Sequence, residues 1–139
     1  MDYLITRPPM TKADIEDLIT RLESVKTRTI DGVALSNLVR ACHDLALKKS
    51  ELIDLSVGDV AKGGIVGNVM SVGEDEDKFN LSESEKKMLQ NHIDYLKKNG
   101  YRLYPTSPLF PTRKKARYNE KTLDNHLKRA QNVKIEETI

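Results

Sequence analysis

The chain has no tryptophan, only two phenylalanines and a single cysteine in 139 residues. One cysteine, Cys42, excludes an internal disulfide and any cysteine-rich zinc centre. No apolar run approaches the roughly 18 residues that a membrane-spanning helix needs. The N-terminus also lacks the apolar core of a signal peptide. The expectation is a soluble, cytoplasmic chain with no membrane partner. Gly58, Gly63, Gly64 and Gly67 fit neither a dinucleotide fingerprint nor a P-loop. Glu74-Asp75-Glu76-Asp77 lacks the alternation and closing glutamate of a calcium loop and reads as a solvated turn. His43 and His126 have no carboxylate or cysteine companions at ligand spacing. No metal, no cofactor and no small-molecule substrate are expected.

Charge is what the chain has in quantity. Charged residues make up 32% and apolar residues 38%, enough for one modest core, so residues 1–139 read as a single domain. The net charge of +2 conceals an asymmetry. From Lys86 to Arg129 there are twelve Lys or Arg against Asp94, Glu120 and Asp124. An anionic partner for the C-terminal half is one reading of that imbalance, and a solvated basic face is the other.

The periodicity predicts an α+β, mainly helical chain with a small antiparallel sheet. Arg7-Pro8-Pro9 bars a helix start, so residues 1–10 read as an extended arm. Thr11 and Asp14 can cap a helix carrying the stripe Ile15, Leu18, Ile19, Leu22, which fades near Ser24. Asp31 can cap a central helix whose apolar face holds Leu35, Leu38, Val39 and Cys42. A short helix with Leu52, Ile53 and Leu55 inside follows, then a turn into a strand at 56–60. Ile65 to Val72 reads as a strand and Lys78 to Leu81 as another. Ser82 and Glu85 form a capping box for a helix with Met88, Leu89, His92, Ile93 and Leu96 buried, stopping at Asn99-Gly100. His92 reads as a satisfied core histidine and Cys42 as a small buried hydrophobe. The proline-rich 101–112 must be irregular. A basic loop, Arg113 to Tyr118, leads to a last helix from Asn119 or Thr122, ending over 131–135.

The run Leu47-Lys48-Lys49-Ser50-Glu51-Leu52-Ile53-Asp54-Leu55, followed by Val57-Gly58-Asp59-Val60, resembles the first catalytic box of the tyrosine recombinases (the phage integrase family). There a helix ends in T-G-L-R-x-S-E-L-x-x-L and an aspartate opens the next strand. Leu47, Ser50, Glu51, Leu52, Leu55 and Asp59 match. Lys48 falls where the family carries its first catalytic arginine, and an ammonium does not replace the two-pronged phosphate grip of a guanidinium. Leu109-Phe110 matches an L-F segment of the family, and the Pro8-to-Ile15 pattern resembles the start of its catalytic domain. The resemblance implies that 11–135 corresponds to part of that domain, with helices around the small sheet. The family's H-x-x-R motif does not occur in the chain, and no tyrosine falls at the nucleophile's place. The acidic residues 74–77 occupy the turn where the family has a catalytic lysine.

The resemblance implies a DNA-binding protein that lacks most catalytic residues and does not cleave strands by itself, with Glu51 structural. Double-stranded DNA is the implied partner. Its expected contacts are Lys48, Lys49, Arg113, Lys114, Lys115, Arg117, Lys121, Lys128 and Arg129, with Tyr118 packing on a sugar. A rival reading is a protein-interaction module, a homo-oligomer, or half of a split recombinase completed by a second chain.

Overall fold

A computed structural model describes residues 12–25, 27, 30–73 and 77–137, with side chains given from Glu16 through Arg129 except at Asp77. The extended arm 1–10, the cap at Thr11 and the acidic turn at 74–76 lie outside the described residues.

Helix α1, Lys12–Glu23, lays Leu18, Ile19 and Leu22 into the core as its spacing requires. The chain then doubles back, and the Gly32 N–H donates to the Val25 carbonyl at 2.9 Å. Helix α2, Gly32–Leu45, starts on the predicted cap, with the Asp31 carboxylate accepting the Ala34 N–H at 3.1 Å. Its buried face holds Leu35, Leu38 and Val39, packed between α1 and helix α4, Glu83–Lys98. Cys42 packs against the core from a partly buried position; burial pushes its thiol up to about 11, and Sγ donates to the Leu47 carbonyl at 3.3 Å. Ala46, left-handed at φ 53°, turns the chain into α3, Lys49–Asp54. The Lys48 N–H donates to Glu51 Oε1 at 2.9 Å, so Glu51 caps its own helix.

The strand region differs from the sequence expectation. Ile65 to Val72 is two strands, β2 Ile65–Val66 and β3 Val69–Val72, broken at Gly67-Asn68. The strand into which the 56–60 turn leads is β1, Ala61–Lys62, which pairs antiparallel with β2, while β3 pairs antiparallel with β4, Asp77–Asn80, in the register Met70 to Phe79. The described residues therefore hold two two-stranded sheets instead of one. Hydrogen bonding explains the break. The Gly67 N–H bonds back to Val60 and the Leu81 N–H reaches Asn68, so each half of the run takes a different partner.

Helix α4 opens on the predicted capping box, with both Ser82–Glu85 hydrogen bonds made, and buries Leu89, His92, Ile93 and Leu96. After the irregular 101–119, Asn119 Oδ1 accepts the Thr122 N–H at 2.8 Å and caps α5, Glu120–Glu137. This helix outruns its predicted end. Leu123 and Leu127 reach the core, and α5 packs on α1 and α3. The fold is α+β and mainly helical, and no helix among the described residues is long and apolar enough to cross a membrane.

Candidate nucleic-acid interface

The basic loop is a closed turn with a fixed shape. Pro111 and Arg117 bridge its base. The Thr112 N–H donates to the Ala116 carbonyl at 2.8 Å, the Lys115 N–H to the Thr112 carbonyl at 2.8 Å, and the Ala116 N–H to Thr112 Oγ1 at 3.2 Å. These bonds pinch Arg113-Lys114-Lys115 into the tip, where Lys115 sits at φ 68°, in the left-handed region, at a cost on the order of 1 kcal/mol. Lys114 and Lys115 are exposed.

Two of the nine predicted cations are engaged within the protein. Arg117 Nη1 donates to the carbonyls of Ile53 (2.8 Å) and Leu55 (2.9 Å), and Nη2 to Ser56 Oγ (2.9 Å) and the Thr106 carbonyl (3.3 Å). A guanidinium suits this place because the last carbonyls of α3 have no helical partners and carry its negative dipole end. Lys49 reaches α5, with Nζ 3.2 Å from Asp124 Oδ1 and 3.9 Å from Glu120 Oε1, and its side chain is 13% exposed. Arg117 thus fastens the loop to one end of α3, while Lys49 fastens the other end to α5. Arg113 is half-buried, and its charge acts on Tyr95 and Tyr101.

Lys48, Lys121, Lys128 and Arg129 are exposed. Lys121 and Lys128, seven residues apart on α5, share a helix face. No ion pair among the described residues joins these four, or Lys114 and Lys115, to a carboxylate. A short helix braced at both ends therefore holds the loop tip and the first turns of α5 in one neighbourhood. That relation is carried by contacts some 60 to 75 positions apart in the chain.

The aromatic expectation needs correction. Tyr118 is 5% exposed, its hydroxyl hydrogen-bonds His126 Nδ1 at 2.9 Å, and the two rings meet edge to face. It is a core residue and is not free to pack on a sugar. Two aromatics among the described residues stand in solvent, Phe79 on β4 at 47% and Tyr104, nearer the basic loop in sequence, at 62%. Among the described residues no cluster of His, Cys, Asp or Glu could hold a metal.

His92 is the satisfied core histidine that its position predicts. A carbonyl only accepts, so Nε2 carries the proton it donates to Leu109 at 2.6 Å, and Nδ1 accepts from the Asn37 amide at 2.9 Å. The ring stacks on Phe110 with centroids 4.7 Å apart. Burial lowers its pKa to about 4, against the upward pull of the Leu109 carbonyl and Asp31. The unfolded chain takes up this proton near pH 6.5, whereas the folded protein refuses it down to about pH 4. Stability is therefore expected to fall as pH drops through that window, by roughly 3 kcal/mol from this group alone. His126, lowered by burial and the Arg129 charge, acts in the same direction. Urea unfolding across this range checks it: His92→Gln should flatten the profile, and an unchanged profile would contradict the assignment.

In comparisons with known proteins, no family model, no curated protein and no solved structure matches the chain.

Proposed function

We propose that the chain is an integrase- or recombinase-like protein that binds double-stranded DNA through phosphate contacts and does not cleave strands by itself. One observation carries the reading: Lys114 and Lys115 stand on a turn held by three hydrogen bonds and anchored by Arg117 to the recombinase-like box, whose α3 is also tied through Lys49 to α5 with its exposed cations. Free ammonium and guanidinium groups on a rigid support suit phosphates, and each phosphate contact releases counterions, so affinity falls as salt rises. Lys48, Arg113, Lys114, Lys115, Lys121, Lys128 and Arg129 make the contacts in this reading. Lys49 and Arg117 hold the elements that present them.

Cleavage needs a tyrosine free to attack and cations around the scissile phosphate. The hydroxyls of Tyr95 and Tyr101 bind Asp31 and that of Tyr118 binds His126, and burial raises all three phenols, while the exposed Tyr104 does not fall at the nucleophile's place in the family's pattern. Lys48 offers a point charge where the family has an arginine. Suicide-substrate trapping is expected to give no covalent protein–DNA adduct, and an adduct would contradict the proposal. Replacing Lys114 and Lys115 together by alanine is expected to weaken duplex binding about tenfold at low salt and to lower the salt slope by roughly two. An interaction module would not register the change.

A further inference from the structure

Tyr104 is the exposed aromatic side chain nearest in sequence to the basic loop, and the backbone beneath it is held from several sides. Its N–H donates to Ser107 Oγ at 3.1 Å, and its carbonyl accepts the Ser107 N–H at 2.9 Å, closing a tight turn over Tyr104-Pro105-Thr106-Ser107. That turn is docked on the segment after α3. The Gly58 N–H donates to the Pro105 carbonyl at 3.0 Å, and the Val57 N–H to the Ser107 carbonyl at 2.8 Å. A Cβ on Gly58 would lie 2.9 Å from that Pro105 carbonyl, so the two backbones are in close contact. The ring nevertheless stands 62% exposed on this fixed support.

Its surroundings are cationic. Exposure alternates along the incoming chain, with Arg102 and Tyr104 exposed and Tyr101 and Leu103 half-buried, so Arg102 projects on the same side two residues away. On the other side of the turn, Arg117 Nη2 donates to the Thr106 carbonyl, and the loop it anchors carries Lys114 and Lys115. Asp59 caps the Ser56 N–H at 2.8 Å, and Asp54, the last residue of α3, is the exposed carboxylate just ahead of the docked segment.

A preorganised ring between cations is the arrangement by which proteins hold single strands. The cations follow the phosphates, while a base stacks on the ring, and an unpaired base offers its face where a paired one does not. We infer that Tyr104 is a stacking platform for an unpaired base, so that this surface takes single-stranded DNA, or the melted part of a duplex, as well as duplex. The inference rests on the DNA-binding reading and adds a residue and a substrate class to it.

Fluorescence anisotropy with labelled oligo(dT) and a labelled duplex of equal length tests it on the full chain, comparing the native protein, Tyr104→Ala and Tyr104→Phe. The exposed position lets both variants keep the fold, which circular dichroism verifies. Tyr104→Ala is expected to bind oligo(dT) about tenfold more weakly, with duplex affinity changed less than about twofold, and Tyr104→Phe to keep native affinity for both. Native-like binding of oligo(dT) by Tyr104→Ala overturns the inference and leaves the duplex reading standing. Equal losses on both probes, or a loss in Tyr104→Phe as large as in Tyr104→Ala, also overturn it, because they would mark a phosphate contact by the hydroxyl. Failure of the native protein to bind either probe defeats both readings.

Discussion

Replacing Gly32 by alanine is expected to destabilise the protein by about 4 kcal/mol or more, enough to leave little folded protein. Helix propensity alone argues the opposite, since alanine gains up to about 1 kcal/mol over glycine inside a helix. The local packing decides the sign. A Cβ built on Gly32 lies 1.9 Å from the Leu22 carbonyl and 2.2 Å from that of Val25, where α1 ends against the start of α2. Both obstacles are backbone, so no rotamer change relieves them, and the Gly32–Val25 hydrogen bond must open as the chains separate. Urea unfolding followed by circular dichroism reads the effect. An alanine variant as stable as the native protein would contradict the close approach of α1 and α2.

Removing the carboxylate next to it should cost nearly as much. Asp31 accepts hydrogen bonds from the Ala34 N–H at 3.1 Å, from the Tyr95 hydroxyl at 2.7 and 2.8 Å, and from the Tyr101 hydroxyl at 2.7 Å. Burial pushes its pKa up, but the hydrogen bonds from Tyr101, Tyr95 and the backbone outweigh that and hold it below the usual carboxylate value. Asp31→Ala removes a helix cap and leaves two partly buried hydroxyls without their acceptor, an expected loss of about 3 kcal/mol. Tyr101→Phe removes one hydrogen bond only and is expected to cost about 1 kcal/mol. The lowered pKa also sets a sign with pH. The contribution of Asp31 is complete above the ordinary carboxyl range and is lost as pH falls towards its lowered folded value. A change within about 0.5 kcal/mol for Asp31→Ala would show that the cluster does not hold α2 to α4.

The two positions show what the chain discloses by itself. Asp31 is recognisable as a cap because an acidic residue stands just ahead of an apolar stripe, and α2 and α4 start at their predicted caps for that local reason. Tyr95 and Tyr101, 64 and 70 residues further on, give no local sign that they end on the same carboxylate. Gly32 lies in a helical pattern, and only the crossing of α1 over α2 explains it. The run Ile65 to Val72 satisfies strand propensity along its length, yet the backbone partners of Gly67 and Asn68 divide it in two. Propensity describes residues, and pairing is decided by which backbone lies alongside.

The candidate site divides in the same way. Its charge is legible, since an excess of Lys and Arg needs no fold to be counted. The roles within it are not. Lys49 and Arg117 are of the same residue types as the cations beside them, and only tertiary contacts engage Lys49 with Asp124 and the still exposed Arg117 with the end of α3. Likewise Tyr118 stands beside the basic residues in sequence but is buried against His126, whereas Tyr104, just ahead of Pro105, stands in solvent.

DNA binding is tested most directly by titrating a labelled duplex with the full chain by fluorescence anisotropy, at low and at physiological salt. The proposed phosphate contacts predict tight binding at low salt and a steep fall in affinity as salt rises, with a log–log slope of several units. No binding at low salt, or binding indifferent to salt, would contradict the proposal and leave the basic turn a solvated surface.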